Sequence, residues 1–232
     1  MSQSLVRSAP QQFLDCAAWK ESISNTFVPL EVSAVHPARF RSSVAMDTLG
    51  WMQICEMHTG AQRVRRTKQL AERADVSGYK VTLQLGGRSE IRQAARTALL
   101  MPGDWGIYDT TRPYEVDVDD DAHFLVMLVP GKHSQAWHPF MKNSVARSFS
   151  ARHGCGRMAM DLLRVALGEH GHLSDSASRD AANAVMQMMG LDICERAGGQ
   201  AEQDQADLRQ AQLRRVQPVS YTHLTLPTTP YV

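Results

Sequence analysis

Histidine pairs are the residues of this chain best suited to hold a catalytic metal, because imidazole binds iron, zinc and nickel. His170 and His172 have the His-x-His spacing, but neighbouring glycines place them in a turn between two helical segments. His133 and His138 are five residues apart, a spacing that does not direct both side chains to one side of a strand. The other histidines are scattered. We therefore expect no metal site and no cofactor.

A second pattern of possible ligands is the acidic series Asp117, Asp119 and Asp121, which is similar to the opening of an EF-hand calcium loop. That loop needs glycine at its sixth position and glutamate at its twelfth, where this chain has Ala122 and Leu128. Calcium binding is therefore not expected. We interpret the acidic series as a solvated turn between two strands.

Nucleophilic, phosphate-binding and nucleic-acid-binding patterns are equally weak. No Ser/His/Asp series stands out, and Gly86-Gly87 is not followed by the Lys-Ser/Thr helix start of a phosphate loop. The basic cluster between Arg63 and Lys68 lacks interleaved aromatic residues, and the net charge of the chain is only +1. We interpret this cluster as a solvated strand end.

Composition predicts a folded protein of the cytoplasm. The chain has 232 residues, of which 43% are hydrophobic and 21% charged, so it can bury a sizeable core. Its four cysteines form no close pair, which favours free thiols over disulfides or a zinc site. The N-terminal residues show no apolar signal segment, and the apolar run Phe124–Pro130 is too short to span a membrane.

Alternating apolar and polar residues predict a series of short strands. The turn signal Pro102-Gly103-Asp104 leads into a strand at Trp105–Asp109, and Arg112-Pro113 leads into another at Tyr114–Val118. Similar alternation occurs at 40–46, 49–57 and 79–85, and residues 123–129 are interpreted as a further strand. Short strands bounded by glycine, proline and aspartate are typical of a β-barrel or sandwich.

Helical spacing occurs before and after these strands. Residues 13–25 predict a first helix, and residues 67–75 a short inserted one. After Pro139 the apolar residues of 155–166 and 181–189 recur with the period of two amphipathic helices. A short glycine-containing connection, with Ser174 or Asp175 as N-cap, predicts an antiparallel hairpin. The predicted fold is α+β, a β-barrel followed by a helix hairpin.

An ordered series of short motifs runs through the chain. They are Phe13-Leu14-Asp15, Trp19, Phe27-Val28-Pro29-Leu30, Phe40-Arg41, Leu49-Gly50, Arg63-Val64, Arg66-Thr67, Tyr79, Leu83-Gln84-Leu85, Gly87, Met101 to Val116, and Leu125 to Pro130. In this order they resemble the sensor domain of AraC-type transcriptional regulators, a cupin-like barrel. The resemblance covers residues 13–215.

The resemblance implies a non-enzymatic domain that binds a small-molecule effector in the barrel and forms a homodimer through the helix pair. It also implies that DNA is bound only through a separate C-terminal helix-turn-helix domain. We accordingly expect a ligand-binding barrel over 1–140 and a dimerisation hairpin over 141–200.

Aromatic and polar residues on inward strand positions are the candidates for effector binding, although the sequence leaves open which strand face points inward. They are Arg41, Trp51, Tyr79, Trp105 and Tyr108. The dimerisation candidates lie on the two helical stripes, which could instead pack on the barrel. They are Leu162, Leu163, Val185 and Met188.

The C-terminal residues predict no packed element. Residues 201–217 are polar and rich in glutamine, and we interpret them as a linker towards a DNA-binding domain that is absent from this chain. Pro218–Val232 resembles a translated sequencing adaptor, so we expect an artefactual tail; a natural Pro/Thr-rich tail is the alternative.

A competing interpretation of the barrel is a metal-dependent cupin-like enzyme, such as an isomerase or an oxygenase. Catalytic cupins use a His-x-His pair with a carboxylate and a further histidine. No His-x-His pair lies in the predicted strands. The metal content of the purified protein separates the two interpretations.

Overall fold

The computed structural model describes residues 8–73, 78–134 and 138–196. The strands in these ranges are β1 (Gln11–Phe13), β2 (Glu31–Ala34), β3 (Ser42–Leu49), β4 (Met52–Thr59), β5 (Gln62–Arg66), β6 (Gly78–Gly86), β7 (Ser89–Gln93), β8 (Arg96–Leu100), β9 (Asp104–Asp109), β10 (Tyr114–Val118), β11 (Ala122–Pro130) and β12 (Ser148–Ser150). The helices are α1 (Cys16–Thr26), α2 (Lys68–Glu72), α3 (Gly131–Ser134), α4 (His138–Ser144), α5 (Gly154–Gly168) and α6 (Asp175–Arg196).

The strands form two antiparallel sheets. Sheet A has seven strands in the order β1-β3-β4-β11-β6-β9-β12, and sheet B has five in the order β2-β5-β10-β7-β8. The sheets face each other as a jelly-roll-like sandwich and do not close into one continuous barrel. The predicted α+β class is confirmed, with this open pair of sheets in place of a strict barrel.

The first helix begins later than its periodicity predicts. Gln11–Phe13 pairs with β3 as an edge strand, so α1 begins at Cys16. Asp15 fixes this start, because its carboxylate accepts a hydrogen bond from the Ala18 amide at 2.9 Å. Phe13 then packs edge-on against Trp19. Side-chain capping and strand pairing together decide this boundary.

The region after Pro139 contains most of α4, one further strand and the two predicted helices. The strand, β12, pairs with β9 and extends sheet A beyond the range predicted for the barrel. α5 and α6 follow and pack on each other. Ser174 caps α6 by accepting a hydrogen bond from the Ala177 amide at 3.2 Å.

Sheet A separates two apolar cores. The inner core lies between the sheets and contains α1 residues together with inward residues of both sheets, such as Val44, Met57 and Val126. The outer core lies between the opposite face of sheet A and the helices α4–α6. Neighbouring residues on one strand therefore belong to different cores, as Leu125 and Val126 on β11 do.

Gly50 attaches the helix hairpin to the turn between β3 and β4. Its φ is +56°, and a Cβ atom there would lie 2.6 Å from the Arg179 Cα. The Gly50 amide also donates a hydrogen bond of 2.7 Å to the Ser178 hydroxyl. Only glycine allows both the left-handed backbone and this close approach to α6.

We expect Gly50→Ala to lower the free energy of unfolding by about 1–3 kcal/mol, because the new methyl group strains the turn and displaces α6. The control is Gly60→Ala, where φ is not positive and the nearest atom to a Cβ is 3.5 Å away. That control should stay within about 0.5 kcal/mol of wild type. Urea denaturation measures both, and equal stability of the two variants would contradict this account of Gly50.

Candidate ligand-binding site

The inner core contains a cavity of about 50 Å³ between the two sheets. Trp19 and Ile23 of α1 form one wall of it, and they are the two buried residues of that helix. The remaining walls come from strands of both sheets and from the segment after α1. They are formed by Phe27, Leu30, Met57, Gln62, Val64, Lys80, Thr82, Ser89, Tyr108, Tyr114, Val116, Val118, Phe124 and Val126.

Lys80 is a buried cation in this cavity wall. The residue lies on β6 and is 3% exposed, and its Nζ atom lies 4.0 Å from the centroid of the Phe27 ring. The groups whose charges reach it are Cys55 and Arg66, with no carboxylate of the described residues among them. Burial raises the pKa of the Cys55 thiol to about 12, so that thiol supplies no anion near neutral pH. A buried ammonium without a counter-charge is costly.

Arg66 adds a second buried cation beside the cavity. It lies on β5 and is 1% exposed. Its Nε donates to the Thr110 carbonyl at 2.7 Å and its Nη1 donates to the Pro29 carbonyl at 2.8 Å, while Nη2 has no hydrogen-bond partner among the described residues. The interior between the sheets therefore carries uncompensated positive charge.

Two hydroxyl groups in the cavity wall also lack partners. Ser89 Oγ on β7 and Tyr114 Oη on β10 are buried and make no hydrogen bond within the described residues. The Tyr108 ring lies 4.7 Å from the Tyr114 ring, centroid to centroid. Buried polar groups are almost always hydrogen-bonded. Unpartnered donors around one cavity therefore suggest a bound polar molecule.

Burial controls the protonation of these groups. Burial, helped by the charge of Arg66, lowers the pKa of Lys80 to about 7. Burial raises the pKa of Tyr108 to about 12, against an opposing hydrogen bond from Thr82. The pKa of Tyr114 is raised as well, first by burial and then by Tyr108. At neutral pH both phenols thus remain hydrogen-bond donors, and Lys80 gains or loses its proton readily.

Two larger clefts on the surface are weaker candidates. One, of about 410 Å³, contains Arg39, Arg41, His58 and Asp120, and the other, of about 600 Å³, contains Arg92 and Glu115. Both are open to solvent, and their charges are already paired: Arg39 with Asp120 at 3.2 Å and Arg92 with Glu115 at 2.6 Å. The cleft of about 600 Å³ also reaches Arg66 and Tyr114, but neither cleft includes Lys80 or Ser89.

The five residues predicted to bind the effector are not brought together. Tyr108 lines the cavity, whereas Arg41 is exposed in the surface cleft of about 410 Å³. Tyr79 and Trp105 point to the outer core. Trp51 lies at its edge, where the indole donates to Asn183 at 3.0 Å and stacks on His133. Arg41, Trp51, Tyr79 and Trp105 therefore do not line the cavity described above.

The residues that sequence analysis missed lie on the opposite strand face. On β6, Tyr79, Val81 and Leu83 pack in the outer core, so Lys80 and Thr82 point into the cavity. Polar residues alternating with apolar ones usually face solvent. The sequence alone does not show that both faces of β6 are buried. This becomes visible only when the helices pack on the face that carries Tyr79, Val81 and Leu83.

The four dimerisation candidates divide between two environments. Leu163 and Val185 are fully buried in the outer core, where α5 and α6 pack on each other and contact sheet A. Leu162 and Met188 are only partly buried at the edge of that core. A different stripe on α5 faces outward, with Met158 56% exposed and Val165 62% exposed on either side of Leu162.

Three side chains of metal-binding type converge on the outer face of sheet A. The β4–β11 register places His58 opposite His123, and Glu56 lies two residues away on the same face. Their potential ligand atoms all lie within 4.8 Å of one another, and Glu56 Oε1 is 2.7 Å from His123 Nε2. Spacing along the chain could not predict this group, since it forms across two strands. It is separate from the cavity.

Some predictions concern residues outside the described part of the chain, namely the linker at 201–217 and the tail at 218–232. Within the described part, all four cysteines are free, as predicted. No helix in these same ranges is long and apolar enough to cross a membrane.

Two facing cupin-like sheets with a cavity between them, followed by a helix hairpin, define the class of domain to which this chain belongs. The AraC-binding-like domain family matches residues 19–192. The chain belongs to this family and is an AraC-type sensor domain, so the resemblance predicted from the sequence is confirmed.

Individual relatives are more distant. The transcriptional activator NphR from a Rhodococcus species is 22% identical over 87% of this chain and 60% of its own length. An uncharacterized protein in the nit 5' region of Bacillus sp. (strain OxB-1) is 32% identical over 48% of this chain and 43% of its own length. The chain therefore spans less than two thirds of these relatives. The crystal structure of the AraC-like transcriptional activator CuxR shares the fold, with a TM-score of 0.70, 13% identity, and coverage of 80% of this chain and 70% of that chain.

Because Lys80 is buried, we expect the free energy of unfolding to depend on pH. Its pKa is about 7 in the folded chain against an ordinary 10.5, so between these values the unfolded chain binds more protons. The free energy of unfolding of wild type should therefore rise with pH in this window, relative to Lys80→Met, by at most about 1.4 kcal/mol per pH unit. Below pH 7 the difference should be constant and should favour Lys80→Met.

Urea denaturation from pH 6 to 9.5 measures this difference, and Lys142→Met serves as the control because Lys142 is exposed. The control difference should not depend on pH. If the difference in free energy of unfolding between wild type and Lys80→Met also does not change with pH, folding does not lower the pKa of Lys80.

Proposed function

We propose that this chain is the effector-sensing part of a transcriptional regulator, and that the effector binds in the cavity between the sheets. The observation that carries the proposal is the set of buried polar groups around that cavity. They are Lys80, which faces no described carboxylate, and the unpartnered hydroxyls Ser89 Oγ and Tyr114 Oη. Each of these groups lowers the stability of the folded chain as long as it has no partner. A ligand that supplies the missing partners removes that cost.

The cavity must enlarge when it takes up an effector, because about 50 Å³ is well below the ~300 Å³ of small ligand sites. α1 is the element best placed to move. Trp19 and Ile23 are its two buried side chains and both line the cavity. Trp19 is further held by a hydrogen bond of 2.8 Å to Gln62. Displacing this helix opens one wall without breaking sheet A.

Sheet A provides a route from the cavity to the helix hairpin. On β9, Tyr108 lines the cavity while its neighbour Ile107 packs in the outer core. Trp105 on the same strand donates to Asp192 of α6 at 3.3 Å, and Asp192 also accepts from Arg196 at 3.0 Å. A shift of β9 on effector binding would therefore move α6, which is the form that allosteric coupling takes in a packed core.

A thermal-shift screen with filled-cavity variants tests the effector site. We expect some members of a panel of neutral, anionic and cationic small organic compounds to raise the melting temperature of wild type. Val116→Phe, which adds bulk inside the cavity, should abolish these shifts, while Val35→Phe at an exposed position should keep them. Ser89→Leu is a second filling variant in case Val116→Phe does not fold. No stabilising compound, or shifts that persist in the filled variants, would contradict the site.

We further propose that the chain forms a homodimer through α5. The stripe Met158, Leu162 and Val165 has the i, i+4, i+7 spacing of one helix face. Met158 and Val165 are exposed although they are apolar, and Leu162 between them is partly buried. It lies on the opposite side of α5 from the residues that bind sheet A, so a second copy can cover it without disturbing the outer core. Effector-driven motion of the hairpin would then change the geometry of the dimer.

Val165→Glu should convert this dimer into a monomer at tens of micromolar protein, because the charge would be buried in the interface. The variant should still unfold in a single thermal transition, and its β-sheet circular dichroism should persist. Arg164→Glu, exposed on the same helix but outside the stripe, is the matched control and should remain dimeric. Sedimentation velocity measures both, and a monomeric wild type would refute the dimer.

DNA recognition in the whole protein is proposed to belong to a C-terminal domain, as the transcriptional activators among the relatives suggest. Four free cysteines within the described residues support a place in the reducing cytoplasm. An enzymatic role is the competing proposal, and Glu56, His58 and His123 are the residues that would have to hold its metal. They lie on the face of sheet A away from the cavity, which favours the sensor.

A further inference from the structure

The chemistry of the cavity wall restricts the class of effector, given the proposed function above. We infer that the effector is a small carboxylic acid whose carboxylate pairs with Lys80 and whose apolar body fills the space between the sheets. The described residues of the wall include one ammonium group, four hydroxyl groups, one amide and no acid. The charge that this wall lacks is therefore negative.

The described acids that are buried cannot supply that charge, because they are used elsewhere. Glu56 contacts His123 on the outer face of sheet A. Asp109 accepts hydrogen bonds from the Thr111 amide and hydroxyl. Asp192 is paired with Arg196 at 3.0 Å and lies in the helix hairpin. Lys80 is thus left with the face of the Phe27 ring as its favourable contact with a negative potential.

A carboxylate suits the donors of the wall better than a phosphate. A carboxylate has two oxygens, which Lys80 can share with the unpartnered hydroxyls of Tyr114 or Ser89. A phosphate group has more oxygens and up to two charges, whereas the remaining polar groups of the wall are already paired with each other, Trp19 with Gln62 and Thr82 with Tyr108. A cationic or sugar-like effector would leave the Lys80 charge unpaired.

The body of the acid must be mainly apolar. The apolar residues of the wall include Ile23, Leu30, Val116, Phe124 and Val126, and Trp19 and Tyr108 add aromatic surface. Such walls bind aliphatic chains or single rings by excluding water. The displaced Trp19 side chain would leave room of this size on the α1 side.

Matched acids and amides test the inference directly. The probes are hexanoate and 3-phenylpropionate with their neutral amides, hexanamide and 3-phenylpropanamide, titrated into the full chain by calorimetry at pH 7. We expect at least one acid to bind at least tenfold more tightly than its amide. Lys80→Met should remove this preference, while Lys142→Met should keep it. Lys80→Met is expected to fold, because it removes a buried charge and keeps the apolar stem.

Proton uptake gives a second readout that a merely structural lysine would not change. A bound carboxylate favours the ammonium form, so at pH 8, above the Lys80 pKa of about 7, binding should take up close to one proton. Calorimetry in two buffers of different ionisation enthalpy measures it. Uptake should disappear in Lys80→Met.

The outcomes separate the effector class from the proposed function. Amides that bind as tightly as acids, acids that bind Lys80→Met unchanged, or no binding of either acid would each overturn the carboxylate inference. If neutral or cationic compounds from the broader screen still bind in a manner blocked by Val116→Phe, the cavity remains the effector site with another ligand class. Only a screen in which no compound binds in a cavity-dependent manner would contradict both the carboxylate inference and the cavity as effector site.

Discussion

The need to bury both faces of sheet A is the constraint on which the rest of the structure depends. β4, β9 and β11 contribute residues to both cores, and on β6 residues of the outer core alternate with Lys80 and Thr82 of the cavity wall, so neither face can be left to water. Sheet B covers one face, and α4–α6 cover the other. This explains why β11 contains the nearly continuous apolar run Phe124–Val129, which is unusual for an antiparallel strand with one solvated face.

The same constraint links the cavity mechanically to the helix hairpin. An interior packed to crystal-like density transmits a displacement on one face of a strand to the other face. Polar contacts make the link specific. Gly50 approaches the backbone of α6 closely, and Asp192 ties α6 to β9 through Trp105. Contacts with sheet A therefore hold α6 near both of its ends. A displacement of sheet A would move the hairpin and its outer surface with it.

Lys80 and Arg66 lie in the part of the structure least suited to charge. A core built only for stability would contain apolar residues of similar volume at these positions, since replacing buried charges in this way is often stabilising. Arg66 has a structural role in part, because it joins the carbonyls of Pro29 and Thr110. Lys80 has no such hydrogen bonds among the described residues, and its position is best explained by binding. Under the proposed function, the cost of burying Lys80 serves the recognition of an effector.

Local patterns in the sequence determined much of this protein: the strands around Pro102-Gly103-Asp104, the strand Tyr114–Val118, the two helices after residue 150 and the family. These follow from turn chemistry and periodicity, which act over a few residues. Only the tertiary structure decided which face of each strand points inward. On β6 the apolar series Tyr79, Val81 and Leu83 packs under the helices, so polar Lys80 and Thr82 enter the cavity. A period of two defines two faces without saying what covers each, and the convergence of His58 with His123 likewise depends on strand register, which no local pattern contains.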